Sequence, residues 1–107
     1  MGDQPDFHAA TVRVLYRWRV AKEKRAEFSS WWHAGTLNIR ASYHGALGST
    51  LCQPAEDDDH LVAIARWKSE SDLAQFWRDY KGDSPFPGAV LESAEVFAEI
   101  DNLVVDN

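Results

Sequence analysis

The chain has one cysteine, Cys52, in 107 residues, so it cannot close an internal disulfide, and its usage fits a reducing cytoplasm. It has no apolar run near the roughly 20 residues of a membrane span, and its polar N-terminus has no signal-peptide core. Basic residues are in deficit: 11 Lys and Arg stand against 17 Asp and Glu, a net charge of −6. That balance argues against a nucleic-acid surface and against an anionic membrane. No nucleophile elbow, phosphate loop, dinucleotide fingerprint or paired-histidine metal motif occurs, and no metal set is visible. Four consecutive acids, Glu56 to Asp59, lack the alternate ligands and central glycine of a calcium loop and read as a hairpin turn.

Aromatic residues, by contrast, are abundant. They make up 12% of the chain and include five Trp, large flat surfaces suited to a core, an interface or a flat ligand. At this length the chain reads as one domain over 11–107, preceded by a flexible polar arm over 1–10.

The organising stretch runs from Leu61 to Trp77. Leu61 to Trp67 is apolar, β-branched and short, which predicts a strand. Leu73, Phe76, Trp77 and Tyr80 then fall at helical spacing, with Ser69 as N-cap and Asp72 three residues later. A strand therefore runs into a helix through a two-residue joint. Upstream, Val12, Val14, Tyr16, Trp18 and Val20 alternate with Arg13, Leu15, Arg17 and Arg19, giving a first strand over 11–20. Its arginine face reads as solvated, or else as a surface toward a second subunit or a ligand.

A first helix is expected over 21–43, with Phe28, Trp32, Gly35, Ile39 and Tyr43 on one stripe. Gly35 inside it, about 1 kcal/mol worse than Ala, implies close packing or a break. His33 reads as an edge or surface residue. Gly45 is the expected left-handed cap. A second strand over 46–53 follows, with Gly48 as a bulge or close approach. Residues 81–88 hold two prolines and two glycines and read as a loop in which Phe86 is a lid or an anchor. Residues 94–100 read as the fourth strand, and Leu103 to Val105 as an apolar tail. The order βαββαβ predicts an α+β, ferredoxin-like fold: an antiparallel four-stranded sheet with both helices on one face. Val62 and Ile64 would then make the other face partly apolar. That implies a homodimer closed sheet against sheet.

Four segments resemble the antibiotic biosynthesis monooxygenase group of the dimeric α+β barrel superfamily. They are Gly45-Ala-Leu-Gly-Ser-Thr-Leu51, Ala65-Arg-Trp67-Lys-Ser-Glu, Leu73-Ala-Gln-Phe-Trp77, and Val20 to Phe28, whose usual Pro-Gly is replaced by charged residues. The resemblance spans about residues 11 to 101. It implies a dimeric α+β barrel with a pocket between sheet and helices. The implied activity is cofactor-independent monooxygenation of a flat aromatic, polyketide-like small molecule. Its counterpart is a non-catalytic dimer that only binds such a molecule. The implied pocket residues are Trp32, Thr36, Trp67, Phe76, Trp77 and Phe86, with Tyr16 or Arg40 as candidate stabilisers of an enolate; for each, core packing is the plain alternative. Haem-degrading relatives look to use an Asn on the first strand, a Trp on the second helix and an axial His. Tyr16, Phe76 and Phe86 stand at those positions, which argues against haem degradation.

Overall fold

The computed structural model describes residues 9–57, 59–80, 86 and 88–104. The chain runs β1 (Val12–Val20), a 3₁₀ turn (Lys22–Lys24), α1 (Arg25–Ser42), β2 (Ala46–Cys52), β3 (His60–Trp67), α2 (Glu70–Asp79) and β4 (Ala89–Ala98). The strands form one sheet in the order β2-β3-β1-β4, every pair antiparallel. This is the ferredoxin-like α+β arrangement. Most of the expected arm lies outside the described residues, as does most of the 81–88 loop. Among the described residues no helix is long and apolar enough to cross a membrane.

Two buried clusters bind the helices to one face of the sheet. Val12, Val14 and Trp67 meet Leu73 and Phe76 of α2, while Val20 and Leu61 enclose Phe28 of α1. The alternation in β1 sends Val12, Val14 and Val20 inward, each 1% exposed or less. α2 begins where Ser69, extended at φ −155°, accepts the Asp72 amide at 3.2 Å and donates its hydroxyl to the Asp72 carboxylate at 2.8 Å. The strand-to-helix joint is therefore closed by its own side chains.

The structure corrects three local expectations. α1 does not end on a left-handed Gly45: Tyr43 leaves the helix in an extended conformation (φ −122°, ψ 116°). Among the described residues only Gly48 and Gly88 have positive φ. Gly45 is small for another reason, since a Cβ there would collide with the Asp72 side chain. Gly35 marks no break, for α1 is continuous through it and its missing Cβ would meet open space. β4 starts at Ala89, five residues earlier than expected, and stops at Ala98. Gly48, at φ +115°, does sit at a register shift between β2 and β3.

The sheet's other face is mixed. Leu15 and Ile64 pair across β1 and β3, with Val62 beside Arg17, and all three are half-buried. Ionic groups flank this strip at both ends. Arg13 and Arg66 share Glu99 at one end; Arg17 meets Asp57 and Arg19 meets Glu92 at the other.

Candidate functional site

β1 presents Tyr16 and Trp18 to the helices, one alternation apart. Leu73 and Phe76 are the inward positions of α2, so Trp77, about 100° further round, falls on the helix edge and is 42% exposed. Its indole N–H donates to the Tyr16 hydroxyl at 3.1 Å. Indole nitrogen is a donor only, so the phenol oxygen must accept and its own proton points elsewhere. Among the described residues nothing accepts that proton. Burial raises the Tyr16 pKa, the Trp77 bond opposes this, and Tyr80 adds to the rise. Tyr16 is therefore a neutral hydrogen-bond donor at neutral pH.

Behind this pair lies a packed aromatic wall. Phe76 stacks on Trp67 (centroids 5.2 Å apart) and on Tyr80 (5.3 Å), and Tyr43 meets Phe76 edge-on at 5.3 Å. Tyr43 also donates to Asp79 at 3.0 Å, joining the C-terminal ends of the two helices. Trp67 and Phe76 are 3% and 8% exposed, so they give the wall its rigidity and show little surface. A second aromatic group stands beside Trp18. Trp18 contacts Phe28 at 5.2 Å and Trp31 at 6.0 Å, and Phe86 lies 5.4 Å from Phe28 and 5.5 Å from Trp31. Phe86 thus fastens the chain after α2 to α1. Trp32 packs against the Val20, Phe28 and Leu61 cluster.

The candidate residues therefore fall in three places. Tyr16, Trp77, Phe76 and Trp67 share one wall, while Trp32 and Phe86 belong to the α1 group. Thr36 and Arg40 border a separate open groove at the β2 edge. Sequence reasoning left out Trp18, Trp31 and Tyr80. Trp18 was detectable, being on the same face of the same strand as Tyr16, two residues on. His33 is exposed on α1.

A family model described as antibiotic biosynthesis monooxygenase matches residues 11–80. Among solved structures, a mutant form of SnoaB, a cofactor-independent oxygenase from Streptomyces nogalater, is 25% identical. The match covers 89% of this chain and 98% of that one, with a TM-score of 0.67. A conserved protein from Methanosarcina mazei Go1 is 20% identical over 86% of this chain and 95% of its own, TM-score 0.66. The haem-degrader MhuD from Mycobacterium tuberculosis is 17% identical over 88% and 99%, TM-score 0.67, a likeness of fold. No curated protein matches the chain.

Proposed function

The chain belongs to the antibiotic biosynthesis monooxygenase family, and from that premise we propose that it oxygenates a flat aromatic small molecule without a cofactor, as a homodimer in the cytoplasm. The likeness to SnoaB, a cofactor-independent oxygenase, supports the reaction type. The Tyr16–Trp77 hydrogen bond is the observation that carries the reading, because it turns a neutral phenol into an aimed donor.

The proposed chemistry asks little of the protein. An anthrone-like substrate loses a proton to solvent water from the ring carbon opposite its carbonyl, and the negative charge collects on the carbonyl oxygen. Tyr16 donates to that enolate oxygen in a site partly shielded from water, where such a bond is strong. The carbanion adds dioxygen, and the resulting peroxide anion takes back a proton from water to give a hydroperoxide. Loss of water from it leaves a new carbonyl: one oxygen atom stays in the product and the other leaves as water. Trp77, 42% exposed, offers aromatic surface for stacking, and the stacked Phe76 and Trp67 pack with Tyr16 in the core cluster.

Haem does not fit these residues. Phe86, at the position the axial histidine would take, is held between Phe28 and Trp31 and offers no ligand to iron. The dimer reading rests on the sheet's uncovered face, where Leu15, Val62 and Ile64 are half-buried and Phe97 and Val90, beside Arg13 and Arg19 on β4, are exposed. Light scattering should therefore give twice the chain mass.

The test is oxygen uptake with an anthrone. Wild type should exceed the uncatalysed rate. Tyr16→Phe should lower kcat by roughly 10- to 100-fold with little change in KM or melting temperature. Substrate quenching of Trp fluorescence without oxygen uptake would leave only the binding reading. A Tyr16→Phe variant at full rate would remove Tyr16 from the chemistry.

A further inference from the structure

Past β4 the chain turns toward the face of the sheet that the helices leave uncovered. The Glu99 amide still reaches the Thr11 carbonyl at 2.8 Å. Its carboxylate accepts from Arg13 at 2.8 Å and Arg66 at 2.7 Å, residues that alternate with the inward positions of β1 and β3. Asn102 follows. Its side-chain oxygen lies 3.5 Å from Arg13 Nη2 and accepts from the Val104 amide at 3.0 Å. Asn102 and Val104 also border a groove that Thr50, Ile64 and Arg66 line. Polar contacts therefore hold residues 100–104 at the margin of that face, while the apolar side chains of the same segment stay exposed. Leu103 is 86% exposed, Ile100 84% and Val104 61%, the three highest values for large apolar side chains among the described residues. Single exposed apolar residues are ordinary. Here the three greatest exposures fall within five consecutive residues, beside an uncovered sheet face, and such a concentration marks a contact surface.

We propose that residues 100–104 form an arm that each copy lays against the other when the two sheets close, burying Ile100, Leu103 and Val104 on the partner. The inference rests on the dimer reading and gives it a second contact beyond the strip of Leu15, Val62 and Ile64. Position selects a second copy as the occupant. The arm is continuous with the face that this copy covers, and its own chain leaves the three side chains bare. A two-fold contact is self-complementary, so each copy contributes its arm and any change to the arm acts twice. Burial of three aliphatic side chains from each copy is a large share of what holds two small domains together.

The full chain and an Ile100→Ser, Leu103→Ser, Val104→Ser triple variant should be compared by analytical ultracentrifugation over a dilution series. Wild type should sediment as a dimer. The variant should keep the wild-type far-UV circular dichroism, and its dimer dissociation constant should rise at least about 100-fold. A second readout needs no substitution. In wild type mixed from isotope-labelled and unlabelled chains, filtered NOEs should connect the Leu103 and Val104 methyl groups of one copy to protons of the other. A wild-type dimer whose variant associates as tightly, or whose arm methyl groups contact only their own chain, would overturn the arm and leave the dimer standing. A wild type that stays monomeric at every concentration would overturn the dimer reading and the arm with it.

Discussion

Replacing Glu99 by Gln removes the charge that holds the far end of the sheet together. Glu99 lies just beyond β4, where its amide donates to the Thr11 carbonyl at 2.8 Å. Its carboxylate takes three hydrogen bonds from two guanidinium groups, those of Arg66 first, and its pKa is pushed down to about 2 from 4.5. A fall of that size corresponds to roughly 3 kcal/mol of preference for the charged, folded form. The side chains of Arg13 and Arg66 are about one-third exposed, at 34% and 33%, so solvent screening reduces the contribution to about 1–2 kcal/mol. Gln keeps the shape but turns an amide NH₂ toward a guanidinium donor. The variant should unfold at lower urea at pH 7 and melt roughly 5–10 °C earlier, at matched protein concentration. The pH dependence carries a definite sign. A carboxylate whose folded pKa is depressed contributes fully above its unfolded value, near 4.5, and loses that contribution as pH falls toward about 2. The stability gap between wild type and Glu99→Gln should therefore be constant above about pH 5 and close between there and pH 2. Equal stability at pH 7, or a gap that persists unchanged into acid, would refute the reasoning.

Two glycines should respond in opposite directions. Gly35→Ala in α1 should raise stability by about 0.5–1 kcal/mol in a urea titration, because the added methyl meets open space and removes freedom from the unfolded chain; a loss would mean that another molecule packs on that spot. Gly45→Ala should cost about 1–3 kcal/mol, because its methyl displaces the Asp72 side chain that Ser69 uses to start α2. If the cap is the route, adding Ser69→Ala to Gly45→Ala should cost less than the sum of the two single changes.

Where the elements were legible, one face of each was buried and its period unbroken. β1 alternates across all nine residues, and α2 carries its apolar positions within ten residues that directly follow the Ser69 cap. The first half of β4 failed that test for a physical reason. β1 and β4 slip register between Arg17 and Trp18, which pair with Ser93 and Leu91, so Glu92 is the extra residue and the alternation breaks at an edge-strand bulge just after the apolar pair Val90 and Leu91. Both are also exposed, so no buried face imposes alternation there. Gly45 misled in a different way. A glycine after a helix suggests a left-handed backbone, but here it makes room for Asp72, a residue 27 positions later that only the fold brings near. The site has the same difficulty on a larger scale. Tyr16 and Trp77 are 61 residues apart, and either one alone reads as an ordinary core aromatic.

The arginines of β1 were open to two readings, a wet face or a surface for another molecule, and their partners bear on the choice. Exposed ion pairs contribute little stability one by one. A covered face, however, cannot leave charges stranded, because an unpaired buried ion is far more costly than a paired one. Here each β1 arginine is matched within its own chain: Arg13 by Glu99, Arg17 by Asp57, Arg19 by Glu92. His60 spans the last two carboxylates, 2.7 Å from Asp57 and 2.8 Å from Glu92. Asp57 is held below its usual pKa first by the Asp59 amide and then by His60 and Arg17; Glu92 is held down first by Arg19. Both stay ionised at neutral pH, so the pairs stay matched. The paired charges gather toward the two ends of the face, and Leu15, Val62 and Ile64 occupy its middle, with Glu95 of β4 beside Leu15. A face arranged in this way can close on its own copy over the aliphatic strip if the β4 edge, with Glu95, stays at the wet rim.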